Sequence, residues 1–323
     1  MTDKNLGSQQ TQGQVWQKSA GGILIPVGTV REASNRMSTN FLAVKVRAEG
    51  IEQLYADAGV TLPRMSGLGR LIANAKRVSD HWLAAQNDKY KMPDVFAVMH
   101  MLRIAEAVLP LADHPRSVYY LERLLSGEID FFKRVESEGK NALWELELWS
   151  LLRRNKAPVE LLDPPDIVAN VSSGVLGIAC KKVYSEANFE KTLSQAAQQV
   201  KDHDIGIVAV NIDDVTPADT VLRVNHIQEA NQLLITQCEQ FLERHERHFR
   251  KYLSQERLVA ALVSIHVLAE VKSWSVPFNN YWQALIWRLP DLSEKKAGPA
   301  EEFRDMITGA RPTPRAHQRG AGA

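Results

Sequence analysis

Between residues 50 and 137 apolar side chains return every three or four positions, as at Val118, Leu121, Leu125 and Ile129. That period belongs to amphipathic helices and predicts them over 66–88, 93–112 and 115–137. Pro93 and Pro115 stand at the starts of the second and third, where a missing N–H is harmless. After Ser137-Glu138-Gly139-Lys140 the pattern changes. A helix over 141–154 is followed by short strand-like runs over 159–162, 166–171 and 175–183. A second helical stretch, 186–202, then leads into the apolar run 205–210. The predicted order is αβββαβ with a mixed sheet. A polar helix over 226–253 and the apolar run 258–271 extend it.

The flanks read differently. Residues 1–21 are rich in Gln, Ser, Gly and Thr and predict a flexible arm. A short strand follows over 22–27, confined to a sheet edge because Pro26 cannot donate a ladder hydrogen bond. Pro299, Pro312, Pro314 and scattered arginines mark 291–323 as a disordered tail. The expected organisation is an arm (1–21), a mostly helical N-terminal domain (22–137), an α/β domain (138–290) and the tail (291–323).

Chemistry concentrates in the α/β region. Pro164-Pro165-Asp166 closes a turn and opens the run Ile167-Val168-Ala169-Asn170-Val171; the next run ends in Ala179-Cys180-Lys181. Strand alternation puts Ala179 and Lys181 on one face, with Cys180 and Lys182 on the other. A turn around Ser172-Ser173-Gly174 makes the Asp166 strand antiparallel to the Lys181 strand.

Together with a preceding helix that carries glutamates, these residues resemble the PD-(D/E)XK restriction-endonuclease-like superfamily, over roughly 141–213. The resemblance implies a Mg²⁺- or Mn²⁺-dependent nuclease acting on DNA. It assigns Asp166 as a metal ligand, Lys181 as the catalytic lysine and the backbone carbonyl of Cys180 as a further ligand. Helical geometry favours Glu145 over Glu147 as the helix carboxylate. Glu145 falls within the stripe of Trp144, Leu148, Trp149, Leu151 and Leu152, where an acid is costly unless paired or metal-bound. Gln199 matches the helix glutamine that faces such sites. The chain departs from the family at Ala179, where the pattern has an acid; Glu186 or Glu190 on the following helix is the expected substitute. That departure leaves a second reading open, a nuclease fold that binds nucleic acid or a protein partner without cleaving.

Composition narrows the setting. A formal charge of +1 over 323 residues gives no global attraction for nucleic acid, so a DNA surface must be local. Arg153, Arg154, Lys156 and Lys182 are candidates for it. Cys180 and Cys238 are too few for a disulfide framework or a four-ligand zinc site, and Cys180 reads as an inert buried thiol. The apolar run 258–271 is too short for a membrane span and contains His266 and Glu270. With no signal peptide at Met1, these features imply a cytoplasmic protein without a membrane partner. A protein partner or homodimer contact through the N-terminal helices is a further expectation. His245 and His248 read as part of a solvated charged face. Trp282 reads as core at near-helical spacing with Leu285, Ile286 and Leu289; Trp274 and Trp287 are candidates for stacking on bases.

Overall fold

The computed structural model describes residues 16–18, 24–26, 41–85, 92–216, 221–255, 258–273 and 278–309. Four helices come first: α1 (Phe41–Asp57), α2 (Gly67–Ala85), α3 (Met92–Val108) and α4 (Ser117–Leu124). The helix expected over 115–137 stops early. Gly127 turns the chain with φ +90°, and Glu128 accepts the backbone N–H groups of Ile129 and Asp130.

Helix α5 (Glu138–Arg154) is buried on almost every side. Its end is a Schellman turn: Lys156 takes φ 63° and the Ala157 N–H reaches the Leu152 carbonyl at 3.0 Å. Three antiparallel strands follow, β3 (Val159–Leu161), β4 (Ile167–Val171) and β5 (Gly174–Lys182). The β4–β5 turn needs Gly174, which adopts φ +134° with the Asp204 carboxylate against it. Helix α6 (Phe189–Gln199) crosses over to β6 (Ile205–Asn211), parallel to β5.

The sheet continues through a long strand. In β8 (Ala260–Val271), residues 260–264 pair with β6 and residues 268–271 with β7 (Val221–Val224), both in parallel. The antiparallel β9 (Phe278–Trp287) covers the other edge of β8. Helices α7 (Ile227–Arg244) and α8 (Glu246–Leu253) replace the single helix expected over 226–253. Trp282 is buried as expected, but in strand β9 and not in a helix; Trp287, a candidate for stacking on bases, is buried in the same strand, which rules out that role. Trp274 lies outside the described residues.

Strand alternation splits the interior into two layers. Leu176, Ile178 and Cys180 of β5 pack with α5 and the N-terminal helices; Ala179, Val208 and Val210 pack with α6 to α8. The N-terminal helices thus share a core with the sheet across the boundary expected near 138. The tail expected from 291 contains α9 (Glu294–Thr308), which keeps its helix through Pro299. Ala300, Phe303 and Ile307 are buried, and the Asn155 amide donates to the Met306 and Ile307 carbonyls. Each buried side chain of leucine or phenylalanine size adds about 2 kcal/mol, which outweighs the local breaker.

The arm over 1–21 lies outside the described residues except for β1 (Trp16–Lys18). It pairs antiparallel with β2 (Leu24–Pro26), the expected short strand. Among the described residues no helix is long and apolar enough to cross a membrane.

The C-terminal ends of β5 and β6 are tied to the N-terminal layer by buried charge. Lys140 of α5 meets Asp214 at 3.2 Å, and Lys182 of β5 meets it at 2.6 Å. Asp214→Ala leaves both ammonium groups buried without this partner and is expected to cost about 3–5 kcal/mol in urea unfolding. A loss below about 1 kcal/mol would contradict that account.

Candidate functional site

Asp166 sits at the end of the turn that precedes β4, where the Leu162 N–H bonds to its carbonyl at 3.1 Å. Its side chain is buried, and one carboxylate oxygen accepts the Cys180 N–H at 2.6 Å. Burial raises the Asp166 pKa, while Lys181, the Cys180 N–H and Arg123 oppose that rise. Glu145 of α5 is buried too, close enough to act electrostatically on both Cys180 and Asp166. Burial pushes its carboxyl up to about 7; Asp166 acts in the same direction and Arg123 against it. Asp166, Lys181 and Glu145 therefore share one electrostatic neighbourhood.

The partner of Glu145 is an arginine. Arg123 of α4 grips both carboxylate oxygens, with Nη1 to Oε2 at 2.5 Å and Nη2 to Oε1 at 2.8 Å. Its Nε donates to Glu138 at 2.6 Å, and the guanidinium lies near the Tyr119 and Tyr120 rings. Charge-assisted bidentate contacts of this kind are among the strongest polar contacts in proteins.

The substitute acids do not reach the site. Glu186 pairs with Arg244 at 2.7 Å and His245 at 2.8 Å, and Glu190 pairs with Lys251 at 2.7 Å. The charged-face reading of His245 also gives way, because its ring is buried against Phe189 and Phe241. Ala179 is fully buried. Among the described residues no three His, Cys, Asp or Glu side chains are grouped to hold a metal ion. Magnesium prefers six oxygen ligands in octahedral geometry, commonly one or two of them carboxylates. Here Glu145 is engaged by Arg123, one Asp166 oxygen is committed to a backbone N–H, and Cys180 sits beside Ala209 of β6. These side chains as arranged do not fit the ion.

Lys181 opens the other way. With Ser194, Gln195, Gln198 and Gln199 of α6 it lines an open cavity of about 610 Å³. Its ammonium makes no hydrogen bond or ion pair with the described residues, and the buried Gln199 Oε1 lacks a hydrogen-bond partner.

A second polar cluster escaped sequence reasoning. Arg103 of α3 donates to Glu147 at 3.0 Å and to Asp213 at 2.7 Å, and contacts His266 Nδ1 at 3.1 Å. Asp213 also accepts the His266 N–H at 2.7 Å and the Asn211 amide at 3.0 Å. Lys182 donates to Asn211 at 2.6 Å. Burial alone would raise the Asp213 pKa; Arg103, Lys182 and His266 reverse that and hold it well below the usual carboxylate range. Glu147, passed over in favour of Glu145 as the helix carboxylate, is thus a member of this network, and Lys182 is not a free surface cation. The visible signal was Asp213-Asp214 directly after a strand, on the layer that Lys182 shares with Cys180. Every acid here faces a cation or a donor, which makes the cluster a structural junction.

Comparison with family models, curated proteins and solved structures yields no match.

The raised Glu145 value has a pH signature. An acid whose pKa is higher in the fold stabilises most below its ordinary value and loses that contribution as pH rises through the folded value. The melting temperature should therefore carry a component that declines from pH 4.5 to about 7. Glu145→Gln should remove it in thermal unfolding series; an unchanged slope in that variant would assign the component elsewhere.

Proposed function

We propose that this chain carries a restriction-endonuclease-like core that binds the phosphodiester backbone of DNA without metal-dependent cleavage. One observation carries the reading: Arg123 holds both oxygens of the glutamate that a nuclease of this type would turn to its metal. The order of helix, three antiparallel strands, crossover helix and parallel strand supports the choice of core. Lys181 supplies the phosphate contact. It is a cation without a direct partner among the described residues, set in an open cavity among hydroxyl and amide groups that donate hydrogen bonds. Asp166 opposes a second anion close by and so limits how deeply a phosphate enters.

Binding of this kind is salt-dependent and indifferent to chelator. Lys181→Ala is expected to weaken DNA binding and to lower the slope of log affinity against log salt by about one. The wild type should bind in EDTA without need of a divalent ion, more weakly if anything when Mg²⁺ is added as a competing counterion, and leave the DNA intact in both.

The Mg²⁺-dependent nuclease is the second reading, favoured by the electrostatic proximity of Asp166 and Lys181. Nicking that requires Mg²⁺ and disappears in Asp166→Ala would establish it in place of the first.

A further inference from the structure

We infer that the outward face of α6 is the surface along which a DNA duplex lies, with Lys191 and Arg247 each taking a further phosphate beside the one at Lys181. The inference rests on the reading of Lys181 as a phosphate contact and extends it from one group to a surface.

Helical periodicity fixes that face. Positions 191, 194, 195 and 198 fall within about 100° of one another around the helix axis. All four are exposed, whereas Phe189, Leu193, Ala196 and Ala197 turn inward. Ser194, Gln195 and Gln198 also line the cavity that Lys181 enters. Lys191 therefore stands on the same stripe as the cavity wall, about one turn before it.

Charge complementarity selects the partner. Lys191 makes no side-chain hydrogen bond or ion pair with the described residues. On the flank of the stripe α8 meets α6 at Glu190, which has Lys251 at 2.7 Å and His248 at 3.8 Å. Arg247 acts on the same carboxylate from a greater distance; its guanidinium contacts the His248 ring at 3.4 Å and makes no ion pair with the described residues. One acid thus faces more cation than it neutralises, and the surplus on Lys191 and Arg247 suits a polyanion. Past the end of α6, Asp202 is exposed and has no cation partner among the described residues, which sets the limit of the surface.

Dimensions and lining agree with a duplex. Lys191 and Gln198 are seven positions apart, about 10 Å along the helix, against ~3.4 Å of duplex axis per phosphate of one strand. The face therefore follows about three phosphates, with the hydroxyl and amides between the lysines donating to phosphate and sugar oxygens. Sequence-tolerant single-strand binding uses aromatic rings as stacking platforms, and no aromatic ring lines the cavity.

The test is fluorescence anisotropy of a short labelled duplex with the full chain over a range of salt, in EDTA. Lys191→Ala and Arg247→Ala should each lower the slope of log affinity against log salt by about one, and Lys181→Ala combined with Lys191→Ala by about two. Lys156→Ala, beside α5 in the opposite layer, should keep the wild-type slope. The single strand of the same length should bind more weakly than the duplex. Lys191 and Arg247 are exposed, so their variants should keep the wild-type melting temperature, which separates a lost contact from a lost fold.

An unchanged slope in Lys191→Ala or Arg247→Ala, beside a reduced one in Lys181→Ala, would overturn this inference and leave the phosphate contact at Lys181 standing. Reduced slopes in the first two with Lys181→Ala unchanged would keep the α6 surface and overturn the Lys181 contact. An equal fall in Lys156→Ala would make the effect one of net charge and overturn the assignment to α6. Tighter binding of the single strand would overturn the duplex, and binding of neither would overturn both the surface and the proposed function.

Discussion

Helix α5 lies between the N-terminal helices and the sheet, and three of its charged side chains are wholly or largely withdrawn from water: Lys140, Glu145 and Glu147. An ion taken from water into a protein interior costs several kcal/mol unless a partner and further hydrogen bonds compensate. Each charge therefore dictates a neighbour. Lys140 draws in Asp214 beyond β6, Glu147 draws in Arg103 of α3, and Glu145 draws in Arg123 of α4. These pairs come from before and after α5 in sequence, so the helical layer and the sheet are locked to one another through it. The Trp144 indole adds a neutral tie, donating to the Ala209 carbonyl of β6 at 3.1 Å.

The same constraint separates two sites that resemble one another in composition. Around Asp213 every acid has its own cation or donor, and charge balance closes the cluster. Around Asp166 the balance closes only on one side. Arg123 satisfies Glu145, whereas Lys181, one strand position past Cys180, projects into the α6 cavity beside Gln199 and lacks a direct partner among the described residues. An electrostatically open group thus stands next to a closed one, and on the proposed reading the open one binds while the closed one withholds its oxygens from a metal.

Much of this was legible in the sequence, for local reasons. Two-residue alternation placed Cys180 and Ala179 in opposite layers, and the helical stripe placed Glu145 in the core. The turn chemistry at Ser172-Ser173-Gly174 set the β4–β5 pairing. What escaped was non-local. Nothing in the spacing around Arg123 signals that it meets Glu145, 22 positions later. Arg103 and Asp213 are 110 positions apart. Glu186 and Glu190 were near enough in sequence to serve the site, yet Arg244 and Lys251 of the next helical pair hold them away. Strand β9 was missed because Trp282, Leu285, Ile286 and Leu289 mimic a helical period, and α9 because Pro299 looks like a breaker.

The central claim is that arginine, not a metal ion, neutralises the acids at this edge. Anomalous diffraction at the manganese edge from wild-type crystals soaked in Mn²⁺ examines it most directly. The account predicts no anomalous peak near Asp166 and a guanidinium fork still seated on both Glu145 oxygens. A peak coordinated by Asp166 and Glu145, with Arg123 displaced, would contradict it.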